Sequence, residues 1–191
     1  MADVFEVLGK DHAEVRAMLT ELEAGTRKGP PADPAELRRR GELVQRLVID
    51  ESKHEAVEEE YFWPAVRELL GDGDELADHG VGQEQDAKHV LAVLDKSKPG
   101  EADFEEAVAR FIADAREHIS YEEGTVWPRM RQVLDPERAQ RMGDRIAAAK
   151  KHAPTRPHPN TPPNPALLKT AGPAVAATDR IRDLVSGRGR H

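Results

Sequence analysis

One pattern occurs twice in this chain and limits what it can fold into more than any other feature. Residues 54–70 read HEAVEEEYFWPAVRELL, and residues 118–134 read HISYEEGTVWPRMRQVL. Superposed, both give His-x3-Glu-Glu-x3-Trp-Pro-x2-Arg-x2-Leu. A His and a Glu four positions apart lie on one face of a helix, about one turn from each other. A duplicated helical motif of this kind predicts two related helices that bring the same side chains to one place.

Helical periodicity extends the pattern to four segments. The first runs from Val4 to Leu22, with Val4, Leu8, His12, Val15, Leu19 and Leu22 on one stripe. A Gly25–Pro34 connector follows. The second covers Ala35 to Leu70, aligning Leu37, Val44, Leu47, His54, Glu58 and Phe62, and breaks at Gly71-Asp72-Gly73. The third covers Asp74 to Lys96 with Glu84, Ala87, Leu91 and Leu94 in register, and the fourth runs from Ala102 to Leu134 through Phe104, Val108, Phe111, Ala115, His118 and Glu122. Short connectors between four amphipathic helices predict an all-α, up-down-up-down four-helix bundle. Pro136 to Lys151 reads as a short extra helix, with Pro at a tolerated first position. Half of the 14 prolines then fall after His152, so residues 151–191 are expected to be a Pro-rich, partly disordered arm outside a domain at 1–150. A weak amphipathic piece there, Ala177, Ile181 and Leu184, could dock or stay disordered.

Composition narrows the chemistry. With no cysteine, disulfides, thiolate catalysis and iron–sulfur ligation are excluded. The net charge is −8; residues 152–191 carry six Arg/Lys against Asp179 and Asp183, a balance of +4, so the rest of the chain carries −12. An acidic body is repelled by a phosphate backbone, which argues against nucleic acid as a partner. No apolar run approaches the ~18–20 residues of a membrane span. The start Met-Ala-Asp-Val-Phe-Glu lacks the basic, then apolar, pattern of a signal peptide, so the expected compartment is cytoplasmic.

A single buried His is more often a hydrogen-bonded core residue than a ligand. Two His-x3-Glu pairs, both inside apolar stripes, are different, because each unpaired buried carboxylate costs about several kcal/mol. A bound cation removes that cost. Imidazole suits iron, copper, zinc or nickel, and carboxylate shifts the preference towards harder ions such as iron and manganese. His54, Glu58, His118 and Glu122 are therefore candidate metal ligands. His12 joins them from its slot between Leu8 and Val15, and Glu84 by extrapolating the third stripe. His79 and His89 fall outside that register and read as surface residues, while His152, His158 and His191 have no organised partners. Tyr61 and Thr125 match in the repeat and could donate a hydrogen bond to a metal-bound group, although Tyr61 could equally pack with its hydroxyl satisfied locally.

Over residues 3–134 the chain resembles the hemerythrin-like, His-His-Glu cation-binding family. The resemblance implies His12 as the first-helix ligand, His54 and Glu58 on the second, and His118 and Glu122 on the fourth. It places Glu84, within Gln83-Glu84-Gln85, where the family usually has a His. It also implies a cofactor of two iron ions with an oxo or hydroxo bridge, His12, His54 and His118 as terminal ligands, and Glu58 and Glu122 as bridges. Glu55, three residues before Glu58, could turn to the metals; its counterpart, Ile119, could not. Fewer imidazoles and more carboxylates favour the oxidised metal and disfavour reversible oxygen carriage. The expected function is a non-haem di-iron protein that handles O2, hydrogen peroxide or nitric oxide by metal redox. An iron sensor or buffer without turnover is the alternative. Catalase- or peroxidase-like activity is compatible with this, but no residue identifies a reductant or proton donor.

Overall fold

The computed structural model describes residues 2–26, 33–161 and 165–186. Helix α1 spans Val4–Thr26 and α2 spans Pro34–Val57. A π-helical turn, Glu58–Phe62, leads directly into α3, Trp63–Leu69. After α4 (Gly73–Leu94) and α5 (Ala102–Tyr121), a second π-helical turn, Glu122–Val126, leads into α6, Trp127–Val133. Two more helices follow, α7 (Pro136–Lys150) and α8 (Pro165–Ser186). The Gly25–Pro34 connector lies largely outside the described residues.

Local chemistry accounts for the boundaries. Asp33 accepts from the Ala35 backbone N–H at 2.9 Å, and Pro34 at the first helical position has no N–H to leave unpaired. Asp135 and Pro136 start α7 in the same way, with Asp135 accepting from the Arg138 N–H at 2.9 Å. The long second and fourth segments expected from periodicity are continuous, but each is widened in the middle. Pro64 and Pro128 cannot donate to the carbonyl four residues back, and their rings crowd it. The preceding Trp63 and Trp127 N–H groups instead bond to the carbonyls of Glu58 and Glu122, five residues back. Each π-turn thus begins at the Glu of a His-x3-Glu pair, a placement common at functional sites.

The bundle is up-down-up-down: α1 packs on α2 and α5, α4 packs on α5 and α2, and α2 and α5 lie across a diagonal. Two apolar cores form. One holds Leu8, Phe62, Trp63, Val126, Trp127 and Met130; the other holds Val15, Leu19, Leu47, Leu91, Phe104 and Phe111. His12 sits between them, so the apolar stripes that build the cores also fix the height of a polar layer.

Of the two outcomes left open for the amphipathic piece of the arm, the structure shows docking. Arg156 bridges Asp95 at 3.0 Å and Asp183 at 2.9 Å, tying residues after α7 to the end of α4 and to α8. His158, expected to lack a partner, faces the buried Asp179 at 2.9 Å. Helix α8 packs on the first π-turn. Its docking face carries Ala176 and Asp179, while Ala177, Ile181 and Leu184 face solvent. Among the described residues, the contacts to α8 include ion pairs between residues far apart in sequence, which periodicity does not register. Arg156→Ala is expected to release the arm. Limited trypsin digestion should then cut at Lys150 and Lys151 several-fold faster, with the bundle melting within roughly a few degrees of wild type.

Candidate metal centre

Four helical segments deliver side chains to the layer between the two cores. His12 comes from α1, His54 from the last turn of α2, Glu58 and Glu122 from the first positions of the π-turns, Glu84 from α4 and His118 from α5. His12 Nε2 stands 3.3 Å from His54 Nε2 and 3.1 Å from Glu122 Oε2. His54 Nε2 stands 3.0 Å from Glu58 Oε2, and His118 Nε2 stands 4.0 Å from Glu84 Oε1. The ligand atoms form two groups, each within 4.8 Å of one another: His12, His54, Glu58 and Glu122 in one, and Glu58, Glu84 and His118 in the other. Glu58 belongs to both.

The imidazoles are held from behind. His12 Nδ1 donates to Glu123 at 2.9 Å, His54 Nδ1 to Asp11 at 3.2 Å, and His118 Nδ1 to Gln83 at 3.1 Å. With the Nδ1 proton directed outwards, the neutral ring presents the Nε2 lone pair inwards, the form a metal needs. Arg16 clamps Glu123 through both oxygens at 2.9 and 2.6 Å, and Lys150 holds Asp11 at 2.5 Å.

Inside the layer the acceptors have nothing to accept. Both oxygens of Glu58, both of Glu122, Oε2 of Glu84 and Nε2 of His118 are buried with no hydrogen-bond partner. The approaches of His12 Nε2 to Glu122 and of His54 Nε2 to Glu58 are N–H···O bonds only when the imidazole carries a second proton. Burial and the Glu122 charge push the Glu58 carboxyl up to about 7. Burial, with the charges of Glu59 and Glu58, raises Glu84 well above the carboxylate range. Burial lowers His118 to about 4, helped by His54 and His12. For His54 burial works downwards but is outweighed by Glu58 and Asp11, so that a proton competes with any metal for its nitrogen. A buried His/Glu set of converging, unsatisfied acceptors fits a pair of cations and is capable of coordinating a binuclear site.

Of the seven residues singled out from the sequence, six meet here. Glu55 does not: it is buried but belongs to neither group, and the charges acting on it are those of Lys88, Glu51, Glu59 and His54. Its position on the helix turns it towards α4. Tyr61 lines a surface cleft with Arg138, Arg141 and Arg145, and Thr125 is exposed, so neither reaches the layer. His79 and His89 are exposed, as their register implies. Sequence reading missed Asp11, Gln83 and Glu123. All three immediately flank a ligand position, but nothing in a linear pattern says which neighbour turns to an imidazole.

An all-α bundle around a buried, binuclear-capable His/Glu cluster defines the class of protein. The family model described as Hemerythrin HHE cation binding domain matches residues 3–151, and the chain belongs to that family. An uncharacterised hemerythrin-like protein of Schizosaccharomyces pombe is 27% identical over 141 residues, covering 73% of this chain and 70% of its own. A DNA nickase of Nostoc sp. is 26% identical over 150 residues, covering 78% of this chain but only 39% of that protein. The crystal structure of a hemerythrin HHE cation-binding domain-containing protein from Mycobacterium kansasii superposes with a TM-score of 0.64 at 18% identity, over 94% of this chain and 99% of that one, and shows the shared fold. Among the described residues, no helix is long and apolar enough to cross a membrane.

The raised Glu58 value carries a pH dependence. Its carboxyl binds a proton more tightly folded than unfolded, so its contribution to stability is present below about pH 4.5 and is lost as pH rises through 7. In chelator-treated protein Glu58→Gln, neutral throughout, should flatten that part of the decline in melting temperature. Thermal melts of both proteins between about pH 4.5 and 8 check this.

Proposed function

We propose that the cluster holds two iron ions and handles small oxidants, namely O2, hydrogen peroxide or nitric oxide. In this reading His12 and His54 serve one ion, Glu84 and His118 the other, and Glu58 and Glu122 lie between them. The observation that carries it is that Glu58 belongs to both groups of ligand atoms, which is what a bridging carboxylate requires. Three carboxylates with three imidazoles suit iron over zinc or copper. The iron pair would supply electrons to a small bound oxidant; of O2 and hydrogen peroxide, only the peroxide would also return them.

The chain's own residues supply enclosure and orientation. Trp127 stacks on His12 with ring centroids 5.0 Å apart, Trp63 lies 6.3 Å from the His118 ring, and Phe62 is fully buried beside Trp63. These apolar walls exclude bulk water and large substrates. Asp11, Gln83 and Glu123 keep each imidazole in its inward-facing tautomer.

A sensing or buffering role without turnover is the second reading. It is favoured by the docking of α8 on the π-turn that begins with Glu58, which puts the arm in contact with the segment a metal would tighten.

Metal content and a visible spectrum, on protein purified without added metal, test the first claim. About two irons per chain with an oxo-bridge-type near-ultraviolet band are expected, and His54→Ala should lose at least about one iron and the band. Iron-free, well-folded protein with an unchanged mutant would sink it. Peroxide or nitric oxide consumption by the loaded protein then separates turnover from sensing.

A further inference from the structure

The duplication extends beyond the motif. Lys88 follows Glu84 by one turn as Arg16 follows His12, and each holds the second Glu of a Glu-Glu pair. Lys88 binds Glu59 at 2.6 Å; Arg16 binds Glu123 at 2.6 Å. Glu84 is thus the counterpart of His12, with opposite hydrogen-bonding needs. The outer atom of His12, Nδ1, is a donor and finds the carboxylate of Glu123. Glu84 has only acceptors to offer, and the equivalent carboxylate, Glu59, would repel it.

The indole N–H of Trp63 meets that need. It donates to Glu84 Oε1, and Oε2 is left buried and unpartnered. The other tryptophan shows the contrast. Trp127 lies against His12, which offers it no acceptor, and its Nε1 is buried without a partner. Gly80, one turn before Glu84 on α4, completes the seat. A Cβ there would fall 2.2 Å from Trp63 Cη2, so only glycine admits the indole this close. Gly80 and Glu84 together form a slot that fixes the ring and aims its N–H.

We propose that Trp63 is the positioning residue for Glu84: its N–H pins Oε1, the oxygen 4.0 Å from His118 Nε2, and so fixes the carboxylate at the ion position shared with His118 and Glu58 and sets the affinity of that position separately from the one at His12 and His54. This rests on the reading of the cluster as a two-ion site. An unpinned Glu84, beside the charges of Glu58 and Glu59, would turn away. Loss of an outer partner of this kind typically weakens metal binding by about 10–100-fold.

The test is anaerobic iron(II) titration, counting bound ions by equilibrium dialysis, with the indole N–H signals of the 15N-labelled, metal-free protein read alongside. Wild type should bind two ions. Trp63→Phe, with wild-type helix content, should bind one of them as wild type does and the other at least about tenfold more weakly. Gly80→Ala, which displaces the ring without removing it, should act in the same direction and serves where Trp63→Phe does not fold. Glu84→Leu should shift the Trp63 N–H signal and speed its hydrogen exchange, and leave the Trp127 signal in place; Glu84→Gln, which keeps an acceptor, should retain the Trp63 signal while weakening the same ion. Two ions bound with wild-type affinities in folded Trp63→Phe, or a Trp63 signal unmoved by Glu84→Leu, would overturn the inference and leave the two-ion reading intact. A wild-type protein that binds no iron would overturn both.

Discussion

Glu58 and Glu122 bring their carboxylates to the middle of the bundle, fully buried, with no donor directed at any of the four oxygens. Around them three imidazoles turn their lone pairs inwards because their protons are engaged outside. Each such carboxylate costs about several kcal/mol if it stays charged, a large share of the stability of a domain this size. Much of the remaining structure follows from managing that layer. The apolar cores above and below exclude water from it. The outer partners are themselves anchored by Arg16 and Lys150. The π-turns place both bridging candidates at the point where the helix widens.

The two halves solve the same problem with different residues. Where α1 offers an imidazole, its outer partner is a carboxylate clamped by arginine. Where α4 offers a carboxylate, the equivalent carboxylate is held aside by Lys88 and Gln85, and an indole serves as donor. The Trp-Pro pair in each repeat therefore has two roles. Proline forces the π-turn that sets the Glu, and tryptophan meets the ligand on the neighbouring helix.

Much of this was legible in the sequence, for reasons specific to its elements. Stripes such as Leu8–His12–Val15 and Val108–Phe111–Ala115–His118 fix which way a ligand faces, since a helix has one buried side. The repeat related Glu58 to Glu122 directly. Glu84 could be placed only by extrapolating a short stripe, and its burial at 1% exposure supports that inward aim. Glu55 stands three residues from Glu58 yet belongs to neither group of ligand atoms, because proximity along a helix does not by itself bring a side chain to the layer. The π-turns were hidden because a widened turn preserves helical periodicity on either side. Docking of the arm stayed one of two alternatives because its anchors, Arg156 with Asp95 and Asp183, pair across long sequence separations and leave no periodic trace.

That a cation offsets the cost of the buried carboxylates is best tested by the stability of metal-free and iron-loaded protein, measured by anaerobic urea unfolding on wild type and Glu58→Leu. Wild type is expected to gain several kcal/mol on loading, and Glu58→Leu to unfold at higher urea than metal-free wild type while gaining little from iron. Equal unfolding curves for wild type with and without iron, or a metal-free Glu58→Leu less stable than metal-free wild type, would contradict the account.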